Sequence, residues 1–355
     1  MTEATRVVTR RDVGRVAWDA FVDWSDEAWL WHRYDLQDAL ATWPGRSDAS
    51  FALCAGDEPL AIVPVHFVEY AQARVLRLAA LDSFGGPATA PHLAPRRRAR
   101  VLDEVMGELR RLAGRRRTTR IDMTLAPLAP ALRGERCPRT NPLLALGMEN
   151  ALTQTWIVDL RGGRDAAWDG MEGRARTTVR KAERAGLTVR VADGPRDLDE
   201  YYRLHLDTVA RTGIAPHPKA YFERIWQDFM GSGTARVLVA EHAGRVVAAR
   251  NFAVFKGASV CWTAASDAHA LDLGANSLLQ WRAMEWMVDA GIEWSETGEA
   301  FPAARTGKSQ GLTMFKASFG GELYPIYRGR IELHQRLARR LYHVRRALRP
   351  ETSAV

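Results

Sequence analysis

Lys316 is the residue whose surroundings most favour chemistry. It directly follows Phe315 and precedes Phe319 and the pair Gly320-Gly321. A fixed cation stabilises negative charge that develops on an oxygen atom in a transition state. We therefore predict that Lys316 is a catalytic residue and that Phe315 contributes to substrate binding. The alternative is a solvated lysine that precedes a final strand.

A second set of cations follows helical spacing in the segment 173–186: Arg174, Arg176, Arg180, Lys181 and Arg184. On a helix, positions 176, 180 and 184 share one face, and positions 174, 177 and 181 share another. Arginine binds phosphate through two parallel N–H groups. We predict that Arg174, Arg180 and Lys181 bind substrate phosphates. An exposed basic helix without a ligand explains the pattern nearly as well.

Two further features concern anion binding and proton transfer. Asn276 opens a predicted helix over 276–290, and backbone amides at a helix start can hold an anion. A group that loses a proton during a reaction can need a base, and Glu296 is the preferred carboxylate because it ends a predicted strand over 292–296. Glu299 and Asp267 are alternatives, and proton transfer assisted by the substrate would remove the need for any base.

The composition of the chain limits the number of domains and the kinds of partner and location that we expect. A chain of 355 residues suggests about two domains. The formal net charge of +8 favours phosphate-bearing partners, although a general arginine bias accounts for it equally well. No run of about 18 apolar residues exists, and no apolar segment of a secretory signal follows the N-terminus. The three cysteines lack metal or redox spacing. We expect a cytoplasmic monomer without a metal or stable membrane insertion.

The order of apolar runs and turns predicts an α/β (α+β) fold in which two halves repeat a three-stranded meander. The predicted strands are 50–55, 60–70 and 74–81 in the first half, and 235–241, 246–255, 258–265 and 292–296 in the second. Periodicity predicts helices over 26–42, 95–114, 197–208, 218–230 and 276–290. The predicted domains are 1–150 and 151–330, followed by a basic amphipathic helix over 331–355.

Local sequence then points to a family. The segments 173–186, 208–213, 273–281 and 314–321 resemble those of the Fem family of aminoacyl and peptidyl transferases, and Phe84-Gly85-Gly86-Pro87 resembles its first half. The family belongs to the N-acetyltransferase-like (GNAT) superfamily. The resemblance implies two tandem GNAT-like domains, the second of which is catalytic. It also implies that Lys316 is an active-site lysine and that Arg211 faces the acceptor's phosphates, although Arg211 could instead complement the dipole of its helix.

The resemblance implies transfer of an amino acid from aminoacyl-tRNA to an amine, in many members on a peptidoglycan precursor, with no bound cofactor. Related members are acyl-CoA N-acyltransferases, so the donor stays open, and the amine could belong to a cell-wall or polysaccharide precursor or to a small metabolite. Simple acetyltransferases hold pyrophosphate with a Q/R-x-x-G-x-G/A loop. Alignment on Gly274 puts Leu271 and Asn276 at its outer positions, which disfavours ordinary coenzyme A binding. A non-catalytic module that binds RNA or other anions is the alternative of another class.

Overall fold

The computed structural model describes residues 4–72, 76–213, 215–304 and 306–333. The chain divides into two compact units. Unit 1 runs from Met1 to Leu152 and resumes at Tyr327, and unit 2 is Thr153–Ile326. Unit 2 is thus inserted in the chain between the main part of unit 1 and its last strand.

The strands of unit 1 are β1 (Thr5–Thr9), β2 (Arg46–Asp48), β3 (Phe51–Ala55), β4 (Glu58–Val63), β5 (His66–Gln72), β6 (Leu76–Gly85), β7 (Ala88–Thr89), β8 (Arg120–Leu125) and β9 (Glu149–Asn150). Unit 2 contributes β10 (Thr153–Asp159), β11 (Thr188–Val191), β12 (Ala235–His242), β13 (Arg245–Phe255), β14 (Ala258–Ser266), β15 (Trp294–Ala300) and β16 (Glu322–Ile326). The chain then returns to unit 1 in β17 (Arg328–Glu332).

The helices of unit 1 are α1 (Arg10–Val13), α2 (Arg15–Trp24), α3 (Tyr34–Leu40) and α4 (Pro95–Arg116), with 3-10 turns at Leu30–His32, Pro130–Leu132, Gly134–Arg136 and Pro142–Leu146. Unit 2 contains α5 (Gly163–Gly170), α6 (Gly173–Arg184), α7 (Gly194–Thr212), α8 (Lys219–Arg224), α9 (Ala268–Leu273), α10 (Ala275–Asp289) and α11 (Gly307–Ala317). A π-helical turn, Ile225–Met230, extends α8.

Unit 1 contains one sheet in the order β1-β3-β4-β7 and a second in the order β2-β5-β6-β8-β17-β9. Strands β6 and β8 are parallel neighbours, paired from Ala80 with Arg120 to Gly85 with Leu125. Parallel neighbours need a long crossover, and here α4 lies between them in the chain. Pro95 at its first position suits a helix start, where no N–H is needed.

Unit 2 is built on one sheet in the order β11-β12-β13-β14-β15-β10-β16. Its parallel neighbours are β14 and β15, which are connected through α9 and α10. Both faces of the sheet are covered: Leu238 and Ala240 of β12 join a core with α5, α6 and α10, whereas Val237 and Val239 join a core with α7 and α8. The alternation follows from the two-residue period of a strand.

The α+β fold predicted from the sequence is confirmed, and its details differ in three places. The predicted strand 60–70 is two strands, β4 and β5, in different sheets, because Pro64 cannot donate a ladder hydrogen bond. The predicted helix 26–42 is a 3-10 turn followed by α3. Ile331 and Glu332, where the tail helix was expected to begin, end strand β17, and the rest of that predicted helix lies outside the described residues.

Candidate active site

The candidate site of unit 2 begins where two parallel strands part. The pairing of β14 with β15 runs from Ala258 and Trp294 to Val260 and Glu296, while β14 continues to Ser266. Ligand sites of α/β sheets lie beyond the carboxyl ends of parallel strands. Glu296 is the last residue of β15 in this pairing, and Cys261 follows the last paired residue of β14.

Helix α11 supplies Lys316 to the same place. Its Nζ donates to the backbone carbonyl of Glu299 at 2.6 Å. Gly298, with φ of +104°, lies directly beneath: a Cβ built there would be 3.0 Å from the lysine Nζ. Only glycine combines this backbone conformation with that close approach. The glycine therefore lets the lysine side chain cross β15.

The groups around Lys316 shift the pKa of its ammonium group. Burial lowers the pKa of Lys316 below the ordinary value for lysine, because a charged ammonium loses hydration there. The like charge of Arg250 lowers this pKa further. Cys261, Glu296 and Glu299 are close enough to raise it. A cation with a perturbed pKa beside buried polar groups is a feature of functional sites.

Glu296 is buried, with 7% of its surface exposed. One carboxylate oxygen accepts from the Thr155 hydroxyl on the adjacent strand β10 at 2.8 Å. The pairing of β10 with β15 shifts register between Trp156 and Ile157, next to this contact. Bulges of this kind redirect side chains beside functional sites. The structure thus brings the predicted base within electrostatic reach of the predicted catalytic lysine.

A buried guanidinium lies behind the lysine. Arg250 of β13 donates to the Gln280 side chain of α10 at 2.7 Å and to the Cys261 sulfur at 3.8 Å. Its guanidinium carbon is 5.2 Å from the ring centre of Phe315. Phe315, predicted to bind substrate, thus packs its ring on Arg250 and lies edge-to-face with Phe319.

The pair Gly320-Gly321 has a steric explanation. A Cβ on Gly320 would lie 2.7 Å from the carbonyl oxygen of Gly170, and one on Gly321 would lie 2.2 Å from that of Ile157. Both glycines have positive φ. They let the chain turn tightly from α11 into β16, which fixes the position of the helix that carries Lys316.

The predicted phosphate-binding cations of α6 divide into separate environments. Arg174 donates to the Met314 carbonyl of α11 at 2.7 Å, so it lies beside the helix of Lys316. Lys181 donates to the Asp272 carbonyl at 2.9 Å, and Arg180 stacks over Trp168 at 5.2 Å. The structure brings only Arg174 next to α11.

Two other predicted residues meet at the end of β14. Arg211, in the last turn of α7, donates to the Ser266 carbonyl at 3.2 Å. The Asn276 amide donates to the Ser266 hydroxyl at 3.3 Å, and Thr208 also bonds to Ser266. Arg211 and Asn276 therefore come together around Ser266.

Sequence reasoning missed Arg250, Gln280 and Cys261 as members of the cluster. A signal existed for Arg250, because Arg250 and Asn251 interrupt a largely apolar central strand, and a buried charge needs partners. Asn251 beside it is 1% exposed, and its amide O and N have no hydrogen-bond partner within the described part of the chain. No spacing rule distinguishes these residues before the strands are paired.

Residues 171–300 match the model of the acetyltransferase (GNAT) domain family. This segment is a GNAT domain. The match spans α6, the meander β12 to β14, α10 and β15, and so includes Arg250, Cys261 and Glu296, while Lys316 follows it. The match supports an acyltransferase, in agreement with the enzyme prediction.

Solved structures match the fold over most of this chain. FemX is 16% identical with a TM-score of 0.70, and the match covers 95% of this chain and 99% of that one. A tandem GNAT protein from the clavulanic acid biosynthesis pathway is 13% identical, with a TM-score of 0.56 and 93% and 98% coverage. The C-terminal domain of a putative lysylphosphatidylglycerol synthetase from Agrobacterium fabrum is 18% identical, with a TM-score of 0.56 and 94% and 96% coverage.

These matches confirm the predicted resemblance at the level of a GNAT domain and a FemX-like, tandem GNAT fold. A search of curated protein sequences finds no match to this chain. Over the described ranges, no group of three or more His, Cys, Asp and Glu could hold a metal ion. None of the helices described is both long and apolar enough to cross a bilayer.

Proposed function

We propose that unit 2 transfers an aminoacyl group from aminoacyl-tRNA to an amine, with Lys316 stabilising the oxyanion and Glu296 accepting the proton. The observation that carries the proposal is the partly buried Lys316 ammonium, which is held across β15 where β14 and β15 part. A preorganised cation in a site of low dielectric stabilises developing charge far more than one in water.

The reaction follows from this arrangement. The amine nitrogen attacks the carbonyl carbon of the ester that links the amino acid to the terminal ribose of tRNA. A C–N bond forms and the carbonyl electron pair moves to oxygen, next to Lys316. The ester C–O bond then breaks and the ribose oxygen leaves. The proton lost by the amine passes to Glu296 and from there to the leaving oxygen.

The start of α10 supports an RNA donor over coenzyme A. The turn at Gly274 is packed against α6, since a Cβ there would lie 2.6 Å from the Thr178 methyl group and 3.2 Å from its carbonyl oxygen. A pyrophosphate cradle needs backbone amides that a ligand can approach. Arg174, Arg180 and Lys181 offer positive charge along α6 for the phosphates of an RNA, and Arg211 for those of an acceptor.

An acyl-CoA donor is the second candidate. The match of residues 171–300 to a GNAT acetyltransferase domain favours it, because GNAT enzymes use acyl-CoA as a co-substrate. The acceptor would again be an amine, on a cell-wall or polysaccharide precursor or on a small metabolite. A cytoplasmic monomer remains the prediction from the sequence, and sedimentation analysis of the purified protein tests the monomer.

Two labelled donors decide between the candidates: a pool of charged tRNAs and acetyl-CoA, each with a mixture of amine acceptors. We expect loss of label from tRNA beyond spontaneous hydrolysis, and we expect tRNA binding to weaken steeply with salt. The matched control variant is Lys219→Ala, because Lys219 is an exposed lysine of unit 2 that pairs with Asp199.

The assay has three distinguishable outcomes. Deacylation of tRNA that is lost in Lys316→Ala and kept in Lys219→Ala supports the aminoacyl route. Release of free coenzyme A with the same dependence on Lys316 moves the donor to acyl-CoA. Transfer that survives in Lys316→Ala contradicts the assigned role of the lysine, whichever donor is used.

A further inference from the structure

Unit 1 contains a cavity of about 350 Å³ at the carboxyl ends of its own parallel strands. Gly85 ends β6 and Leu125 ends β8, and both line the cavity. Cavities at this edge of parallel strands are common ligand sites. None of the residues assigned to acyl transfer lies in unit 1, so the transfer reaction leaves this cavity without a role.

The walls of the cavity are mainly apolar. Aliphatic side chains and prolines form most of them, including Leu102, Leu132, Leu143, Leu146, Pro138 and Pro142. The volume is at the lower end of small-molecule sites, which run from about 300 to 1,000 Å³. The cavity therefore fits a ligand with a small apolar body.

The wall of the cavity at Gly85 is closely packed. Gly85 and Gly86 both have positive φ, and a Cβ on Gly85 would lie 2.8 Å from the His32 ring. His32 is fully buried, and its Nε2 is 3.0 Å from the Gly86 carbonyl. A Cβ on Gly86 would meet Leu125. The backbone of Gly85 and Gly86 is thus packed against His32 and Leu125 with no room for side chains at these two positions, and Pro87 lines the cavity beside Gly85.

One charged pair provides the polar part of the lining. The Glu27 carboxylate accepts from the backbone N–H and hydroxyl of Thr89 at 2.8 and 2.7 Å, and from Arg98 at 2.5 Å. Arg98 also donates from Nε to the Thr89 hydroxyl at 3.2 Å. These bonds leave Nη1 of Arg98 without a partner among the described residues. Because Glu27 already accepts three hydrogen bonds, Arg98 remains the available donor.

We propose that unit 1 binds an organic monocarboxylate with an apolar body, whose carboxylate bonds to Arg98 and whose body lies among the leucines. A guanidinium binds a carboxylate through charge-assisted hydrogen bonds. The apolar walls gain free energy when they are removed from water. This site is separate in sequence and chemistry from the Lys316 cluster, and it does not depend on the proposed transfer.

The test is isothermal titration of the full-length protein with octanoate and with octanol, an uncharged probe of the same length. Two pairs of variants localise the site. Arg98→Gln is matched by Arg97→Gln, an exposed neighbour on α4 that does not line the cavity. Ala145→Phe fills the cavity from an exposed position, and Leu144→Phe is its control. Circular dichroism confirms that each variant is folded.

We expect one octanoate per chain, about tenfold weaker binding in Arg98→Gln because a charged hydrogen bond is lost, and no measurable binding in Ala145→Phe. Arg97→Gln, Leu144→Phe and Lys316→Ala should bind as the parent protein does. The proposal is overturned if octanoate does not bind at millimolar concentration, if Ala145→Phe binds normally, or if octanol binds as tightly as octanoate.

Discussion

The two units share a structural feature, a pair of parallel strands joined through a helix, but the side chains around it differ. Each contains one pair of parallel neighbours joined through a helix, β6 and β8 through α4 and β14 and β15 through α10. Beyond the pair in unit 2 lie a lysine, a carboxylate and a buried guanidinium. Beyond the pair in unit 1 lie leucines, prolines and the ion pair of Arg98 with Glu27. In each unit the fold leaves a space at the carboxyl ends of the parallel strands, and the side chains there determine which function that space can have.

The backbone at the two strand ends differs as well. In unit 1 the last paired residue of β6 is Gly85, which starts a turn packed against His32. In unit 2 the pairing stops at Val260, while β14 continues to Ser266 and presents Cys261 to the site. The longer strand β14 of unit 2 presents polar groups at the position where the chain of unit 1 leaves the sheet after β6.

The largest expected effect tests the catalytic role proposed for Lys316 of unit 2. Replacing Lys316 by alanine should lower the transfer rate by about 100- to 1,000-fold, the cost of losing one oxyanion-stabilising group. Steady-state kinetics with whichever donor the two-donor assay supports measure it, and most of the loss should appear in kcat. A loss confined to KM would show that the lysine only binds substrate.

The next effect compares a backbone clash with a side-chain clash. Gly321→Ala in unit 2 places a Cβ against the fixed carbonyl of Ile157, so we expect a loss of about 3 kcal/mol or more in the free energy of unfolding. Gly86→Ala in unit 1 meets only the end of the Leu125 side chain, which can move, so about 1–2 kcal/mol is expected. Urea denaturation of both variants gives the ranking, and equal losses would contradict it.

A smaller effect concerns pH. If the Lys316 ammonium is required, the transfer rate falls as pH rises through its lowered pKa. Arg250→Met removes the like charge that helps to lower this pKa. The alkaline limb of the pH–rate profile should therefore move to higher pH in that variant. A limb that stays in place, or moves to lower pH, would show that Arg250 does not act on Lys316 through its charge.

The smallest effect lies away from the site, where His217 packs against His205, Tyr221 and Phe222. Burial, with a contribution from His205, lowers the pKa of His217 to about 4 from an ordinary 6.5. Between these values the unfolded chain binds the proton and the folded chain does not, so stability should fall as pH drops from 6.5 towards 4. Urea denaturation at several pH values should show a shallower fall in His217→Asn.

Regular elements were the most predictable part of the fold. The helices over 95–114 and 276–290 and the meander from 235 to 265 are present with bounds shifted by a few residues, since their periodicity is set by local sequence. Helix α11 was not predicted, although it carries Lys316, because its apolar and polar positions do not form a clear stripe. Its placement depends on the close approach of Gly320 to Gly170 at the end of α5 and of Gly321 to Ile157 of β10.

By itself, the sequence indicated the α+β class and a GNAT-like second domain, and it pointed to Lys316 as the candidate catalytic residue, because these inferences rest on periodicity and local motifs. Only the tertiary structure decided which groups surround Lys316. Arg250, Cys261 and Glu296 lie on three different strands, and β-pairing alone brings them together. The same holds for the cavity of unit 1, whose walls come from segments more than a hundred residues apart, between Glu27 and Leu146. Contacts between distant segments depend on how the sheets assemble, which no local pattern of residues specifies.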